Sequence, residues 1–223
     1  MSVPHRVPTD RLLLRPWHPT DAAALLPLLE ANQAHIAPWI PRRVSAVAGI
    51  AELEERLQGF ATLFAEDREW RYALLAHGRA VAPVDGGSTD GGVLLGEVDL
   101  FPRNAQGRVP FVEADRAEIG YWLREDMTGR GLVTEGVRAI IDVARACGSF
   151  AHLEIRCDAR NLPSAAVPRR LGFLLAHTEF EEGVHEGEAP VELQTWTWSL
   201  GPPDERARPR SAATAGRAGR GDG

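Results

Sequence analysis

The sequence predicts a mixed α+β fold in which helices flank a mostly antiparallel sheet. Three observations lead there. Segments at 70–76, 93–100, 116–124 and 150–158 show the period-two alternation or the short apolar runs of strands. Residues 47–64, and the segment from Thr134 onward, instead repeat apolar side chains at helical spacing. The strand at 116–124, the helix after it and the strand at 150–158 form a β-α-β unit, which lays a helix against the sheet.

Each element has its own signal. Thr9-Asp10-Arg11-Leu12-Leu13-Leu14-Arg15 reads as the first strand, ended by Pro16. His18-Pro19-Thr20-Asp21 starts a helix, with Thr20 or Asp21 as its cap. Ala24, Leu25, Leu28 and Leu29 form its apolar face, and Pro27 is expected to disturb it. Residues 32–41, NQAHIAPWIP, read as irregular because two prolines flank Trp39. The helix at 47–64 aligns Ile50, Leu53, Leu57, Phe60 and Phe64 on one stripe, leaving Glu52, Glu54, Glu55 and Arg56 for solvent.

Between the strands at 70–76 and 93–100, residues 78–92 are too long and glycine-rich for a tight hairpin and are expected to be a flexible insertion. Residues 103–114 read as a second irregular loop. Asn161-Leu162-Pro163-Ser164 opens a short helix, capped by Asn161 or a neighbour, which ends at Gly172-Phe173. Residues 178–184 and 191–200 read as a closing hairpin with Trp196 and Trp198 on one face.

The 223 residues suit one domain, placed at 1–200, followed by a tail at 201–223. The Arg-, Gly- and Ala-rich tail has almost no apolar bulk to offset the entropy of ordering and is expected to be disordered. It carries five Arg against three acids, so residues 1–200 hold more negative charge than the whole chain's −6. An acidic body disfavours nucleic acid as the main ligand. No apolar run reaches membrane-spanning length and the N-terminus lacks a secretory apolar centre, so a cytoplasmic protein without a membrane partner is expected. Cys147 and Cys157 are expected to be buried free thiols, and no metal site is expected.

The stretch around which the chain is organised is AEIGYWLREDMTGRGLVTEGVRAIIDV, residues 117–143. A strand leads through Thr128-Gly129-Arg130-Gly131 into a helix. Glycine permits the unusual backbone angles of such a turn. The first N–H groups of the helix lack intrahelical partners and sit at the positive end of its dipole, which makes an anion site. No G-x-x-x-x-G-K-[ST] motif is present, and the chain contains no lysine.

GYWL and GRGLVTEGVRAIIDVA resemble the acyl-CoA-binding core of the GNAT N-acetyltransferases, and within that superfamily the RimJ/RimL branch of ribosomal-protein alanine N-acetyltransferases. Of the superfamily pattern Q/R-x-x-G-x-G/A the chain keeps the central Gly131, with Thr128 at the first position and Val133 at the last. Asn161, Ser164 and Gly172-Phe173 match N-x-x-[AS]-x-x-x-Y-x-x-x-G-F, with Pro168 in place of the Tyr. The opening T-x-R-L-x-L-R and the segment around Trp39 also resemble that branch, so the likeness spans residues 9–200.

The resemblance implies a GNAT acyl-CoA N-acyltransferase fold with splayed central strands, and acetyl-CoA as cosubstrate. It places Arg130, Gly131, Leu132, Val133 and Thr134 around the diphosphate. Leu123 and Asn161 would hold the pantetheine, and Ser164 would face the thiol. Trp39 would border the acceptor, with Glu97 and Glu181 near it. Glu182 on the closing hairpin, or Glu118 on the strand before the glycine turn, would take the amine proton. The acceptor is then a protein N-terminus or a small cationic amine, such as an antibiotic that the reaction would detoxify. A non-catalytic CoA-binding sensor or interaction protein is the third expectation. Monomer and homodimer both remain open.

Overall fold

A computed structural model describes residues 3–77, 88–89, 92–181 and 189–201. The expected tail, nearly all of the insertion at 78–92, and Glu182 lie outside the described residues. Ten strands form one sheet: β1 (Val7–Pro8), β2 (Leu12–Pro16), β3 (Trp70–Ala76), β4 (Ser88–Thr89), β5 (Gly92–Asn104), β6 (Gly107–Arg108), β7 (Arg116–Leu123), β8 (His152–Asp158), β9 (Leu174–Glu181) and β10 (Val191–Ser199). The sheet order is β1-β2-β3-β5-β7-β8-β10-β9, with β4 and β6 on β5. Every pairing is antiparallel except β7 with β8, which the helix between them crosses over.

Helices α1 (Ala22–Ile36), α2 (Arg42–Ser45) and α3 (Ile50–Ala65) cover one face. They pack Leu25, Leu29, Leu53 and Leu57 onto Leu13, Ala73, Leu75, Leu94 and Trp122. Helix α4 (Leu132–Cys147) covers the other face, where Val137, Ile140 and Ile141 meet Leu12, Leu14, Leu74, Val98 and Ile119. Gly136 permits this approach, because a Cβ there would stand 3.2 Å from Val98 and 3.3 Å from Leu74. Helix α5 (Leu162–Leu171) begins at Asn161, whose side chain caps the Ser164 N–H, and ends at Gly172 with φ of 86°. Both cysteines are buried free thiols. No helix among the described residues is long and apolar enough to cross a membrane.

Three local expectations are corrected. Helix α1 runs unbroken through Pro27. Pro27 and Ala23 both face solvent, where leaving a helix carbonyl without its N–H partner costs least. Residues 32–41 are not irregular throughout: the first five, to Ile36, complete α1, and Pro41 stands at the N-cap of the short helix α2. Residues 103–114 contain the end of β5, β6 and a 3-10 turn at Phe111–Glu113.

Candidate active site

Strands β7 and β8 pair only at Arg116↔His152, Ala117↔Leu153 and Glu118↔Glu154. Beyond Glu118 they part, and two cavities open into the gap. The larger, about 740 Å³, is lined by Leu123, the turn from Thr128, the start of α4, and Pro163 and Val167 of α5. The smaller, about 320 Å³, lies on the face carrying α1–α3, between the Trp39 segment and Glu97, Asp99, Glu118 and Gly120. The two share Trp39, Ile40, Tyr121, Trp122, Asn161 and Ser164.

The larger cavity has the chemistry of an anion site. Gly129 and Gly131 have φ of 72° and 76°, a left-handed region that other residues enter at a cost. No side chain caps α4, so the N–H groups of Leu132, Val133 and Thr134 are left for a ligand. Arg11, Arg138 and Arg170 also line this cavity. This donor set suits the phosphates of an acyl-CoA. Of the residues predicted to hold it, Leu123, Gly131, Leu132, Val133, Thr134 and Asn161 line the cavity. Arg130 does not: it is exposed, and its guanidinium turns back to donate to the Asp126 carbonyl at 3.0 Å. Sequence reading missed Arg138, although it stands four residues after Thr134 and so on the same helix face.

Glu135 fixes this helix start to the first strands. Its carboxylate accepts from Thr9 Oγ1 at 2.5 Å, from the Arg11 N–H at 2.9 Å and from Arg11 Nε at 2.6 Å. Burial opposes its charge, but the hydrogen bonds from Thr9 and Arg11 outweigh it and hold the carboxyl below its ordinary value.

Where the cavities meet, Tyr121 Oη donates to the Ser164 carbonyl at 3.0 Å, and Ser164 Oγ donates to Tyr121 Oη at 3.2 Å. Burial raises the Tyr121 phenol, so it stays protonated. Pro168, buried in α5, supplies no hydroxyl, so the phenol at this junction comes from β7 instead. The period-two reading of β7 gave no hint that Tyr121 would reach α5, because that contact depends on the splay.

The smaller cavity is charged. Arg71, only 2% exposed, lies between the rings of Phe60 and Phe101. It donates to Glu69 at 2.9 Å and to Glu97 at 3.1 Å, and stands 3.5 Å from Asp99 Oδ2. Glu97 also accepts from Trp17 Nε1 at 2.6 Å. Both of its oxygens are thereby engaged, and it anchors the cavity wall. Glu118 faces the cavity but is ill suited as a base. Burial alone would raise it, yet Arg108 and Arg103 outweigh that and hold the carboxyl below its ordinary value. Glu181 does not line either cavity; it pairs with Arg156, which does.

Two buried groups here lack a hydrogen-bond partner: Asp99 Oδ1 and Trp122 Nε1. Buried polar atoms are nearly always paired, so this acceptor and donor stand out in the cavity wall. Sequence reading missed Asp99. Its spacing of two from Glu97 was the available signal, since alternate strand residues share a face.

The comparisons agree with this geometry. The model of the acetyltransferase (GNAT) domain matches residues 11–174. A Bacillus subtilis (strain 168) protein named "Putative ribosomal N-acetyltransferase YdaF" is 27% identical over 165 residues, covering 74% of this chain and 79% of its own. The ribosomal-protein-serine acetyltransferase of Escherichia coli (strain K12) is 37% identical over 59 residues, 26% of this chain and 33% of its own. Among solved structures, RimL, the ribosomal L7/L12 α-N-protein acetyltransferase in complex with coenzyme A, superposes with a TM-score of 0.68 at 20% identity, over 87% of this chain and 97% of its own. The microcin C7 self-immunity acetyltransferase MccE, in complex with acetyl-CoA and AMP, gives 0.68 at 18% identity, over 86% and 93%. With the family model spanning most of its length, the chain belongs to the GNAT acetyltransferase family and is an acetyl-CoA-dependent N-acetyltransferase.

Proposed function

We propose that the chain acetylates the α-amino group of a polypeptide N-terminus, working in the cytoplasm. The observation that carries this reading is the junction of the two cavities at Trp39, Tyr121, Trp122, Asn161 and Ser164. An acyl-CoA entering from the α4 side and an amine entering from the α1–α3 side would meet there. The names of the curated relatives favour a ribosomal polypeptide as acceptor.

The chain's own residues supply the rest. Leu132, Val133 and Thr134 offer N–H groups to the diphosphate, with Arg11, Arg138 and Arg170 beside them. Leu123 and Asn161 flank the pantetheine. Asn161 uses Oδ1 as helix cap, which leaves its amide N–H groups for the ligand. Ser164 Oγ, oriented by Tyr121, stabilises the departing sulfur by hydrogen bonding. Trp39 walls the acceptor side.

A second reading, a small amine acceptor, is favoured by the smaller cavity's volume of about 320 Å³, which falls within the range of small-molecule sites. MccE, a structural neighbour at the same TM-score, is named for immunity to a microcin.

The test is acetyl-CoA with peptides bearing free or blocked N-termini, beside a panel of small amines, read by thiol release and mass. Acetylation confined to free peptide α-amino groups is expected. Acetylation of small amines alone would move the assignment to the second reading. No thiol release with any acceptor in either set would leave a CoA-binding protein without transfer.

A further inference from the structure

We propose that Asp99 is the residue that takes the proton from the acceptor amine. This rests on the acetyl-transfer reading and assigns a role that the sequence had placed on Glu182 or Glu118. Four features of the site carry it. Asp99 lines the smaller cavity while being only 4% exposed. Its Oδ1 has no hydrogen-bond partner, and its Oδ2 meets Arg71 at 3.5 Å, longer than a hydrogen bond. The residue opposite it on β7 is Gly120. A Cβ at Gly120 would stand 3.4 Å from Asp99 Oδ2 and 3.1 Å from the Phe101 ring, so glycine keeps the space beside the carboxyl clear. Gly120 directly precedes Tyr121, whose hydroxyl holds Ser164 at the junction of the cavities.

The neighbours set the carboxyl's chemistry. Glu97 lies two residues away on the same face of β5. Arg71 approaches from β3, Arg108 from β6, Glu118 from β7, and Arg43 from α2 lines the same cavity. Burial, the charge of Glu97 and hydrogen bonding with the Glu97 carboxyl push Asp99 well above its ordinary value, and Arg71 and Arg108 offset this only in part. The other carboxylates facing the cavity are differently placed. Glu97 is engaged by Arg71 and Trp17, Glu118 by Arg103 and Arg108, and Asp158 by Arg160. Among these carboxylates Asp99 is the one with an oxygen that no hydrogen-bond donor engages, and its surroundings raise its affinity for protons, as a proton acceptor needs.

The step balances as follows. An ammonium acceptor gives one proton to Asp99, and its nitrogen lone pair attacks the thioester carbonyl. The C–N bond forms and the C–S bond breaks. A second nitrogen proton passes to the sulfur held by Ser164, and the third hydrogen stays on the amide. Asp99 then returns its proton to solvent.

Asp99→Asn in the full chain tests this, with acetyl-CoA and whichever amine the wild type uses best. The expected result is a fall in kcat of about 10²–10⁴-fold with acetyl-CoA affinity unchanged. The wild type's acidic limb in kcat against pH should disappear, so that the variant's rate climbs with pH toward the amine's own pKa. Stability gives a second readout. A carboxyl whose folded pKa is raised loses stability as pH rises from its unfolded value to its folded one, so removing it should raise the unfolding temperature at neutral pH. A carboxylate needed only as a partner for Arg71 predicts the opposite sign.

A variant within threefold of wild type, or one that keeps the same acidic limb, overturns the proposal. Should Asp99→Asn fail to fold, Gly120→Ala decides: it must lower kcat/KM for the amine while acetyl-CoA still binds, and an unchanged kcat/KM overturns the proposal equally. A wild type that releases no thiol with any amine is a separate result; it removes the transfer reading and this one with it.

Discussion

The two faces of the sheet use the same strands for opposite purposes. On the α4 face, Leu12, Leu14, Tyr72, Leu74, Val98, Leu100 and Ile119 form a continuous apolar layer. On the opposite face, the alternate residues Arg71, Glu97, Asp99, Glu118 and Glu154 form a buried or half-buried ion network. Helices α1 and α3 cover only the part of that face bearing Leu13, Ala73, Leu75 and Leu94. An apolar layer holds its shape through area removed from water, and is indifferent to ligands. A buried ion network costs desolvation and holds each charge in one geometry. This chain thus keeps an apolar face and a charged face back to back, and the splay of β7 from β8 joins them.

The sharpest way to break the contrast is to remove its central charge. Arg71→Met leaves Glu97 and Asp99 buried without their cation and should cost about 3–5 kcal/mol in urea unfolding. Leu100→Ala on the apolar face should cost about 2–5 kcal/mol through a cavity instead. The second variant should leave the pH dependence of stability unchanged, whereas the first should alter it. If both left it unchanged, the two faces would not differ as described.

A smaller effect is expected at the tie between the faces. Glu135→Gln should lower stability by about 1–3 kcal/mol at neutral pH, since the carboxylate accepts three hydrogen bonds. Its folded pKa is depressed, so the contribution is present above the unfolded value and lost as pH falls through the folded one. Denaturation curves of wild type and variant should therefore converge on strong acidification; curves that stay equally far apart would refute the role of the charge. The smallest change is expected beyond both faces, on edge strand β9. Phe180 is 77% exposed there, and Phe180→Ser should shift stability by no more than about 0.5 kcal/mol.

Particular residues show how much was legible in advance. The strand Trp70–Ala76 and the Asn161 cap were readable because alternation and capping are local. The glycine turn at Gly131 was readable for the same reason, since the left-handed turn and the uncapped helix start lie within a few residues of each other. The direction of Arg130 was not readable, because a side chain in a turn follows what can accept its hydrogen bonds, here the Asp126 carbonyl. Glu97 and Glu118 both line the smaller cavity, but their partners Trp17, Arg103 and Arg108 come from elsewhere in the chain and decide what each can do.

By itself the sequence determined the mixed fold, the helix opened by two glycines, and the family whose motifs surround that turn. These follow from short-range periodicity and backbone freedom, which a linear pattern carries. Tertiary structure alone decided which carboxylate keeps a free oxygen. Protonation in a buried cluster depends on distances between side chains of β3, β5, β6 and β7, and no spacing along the chain encodes them.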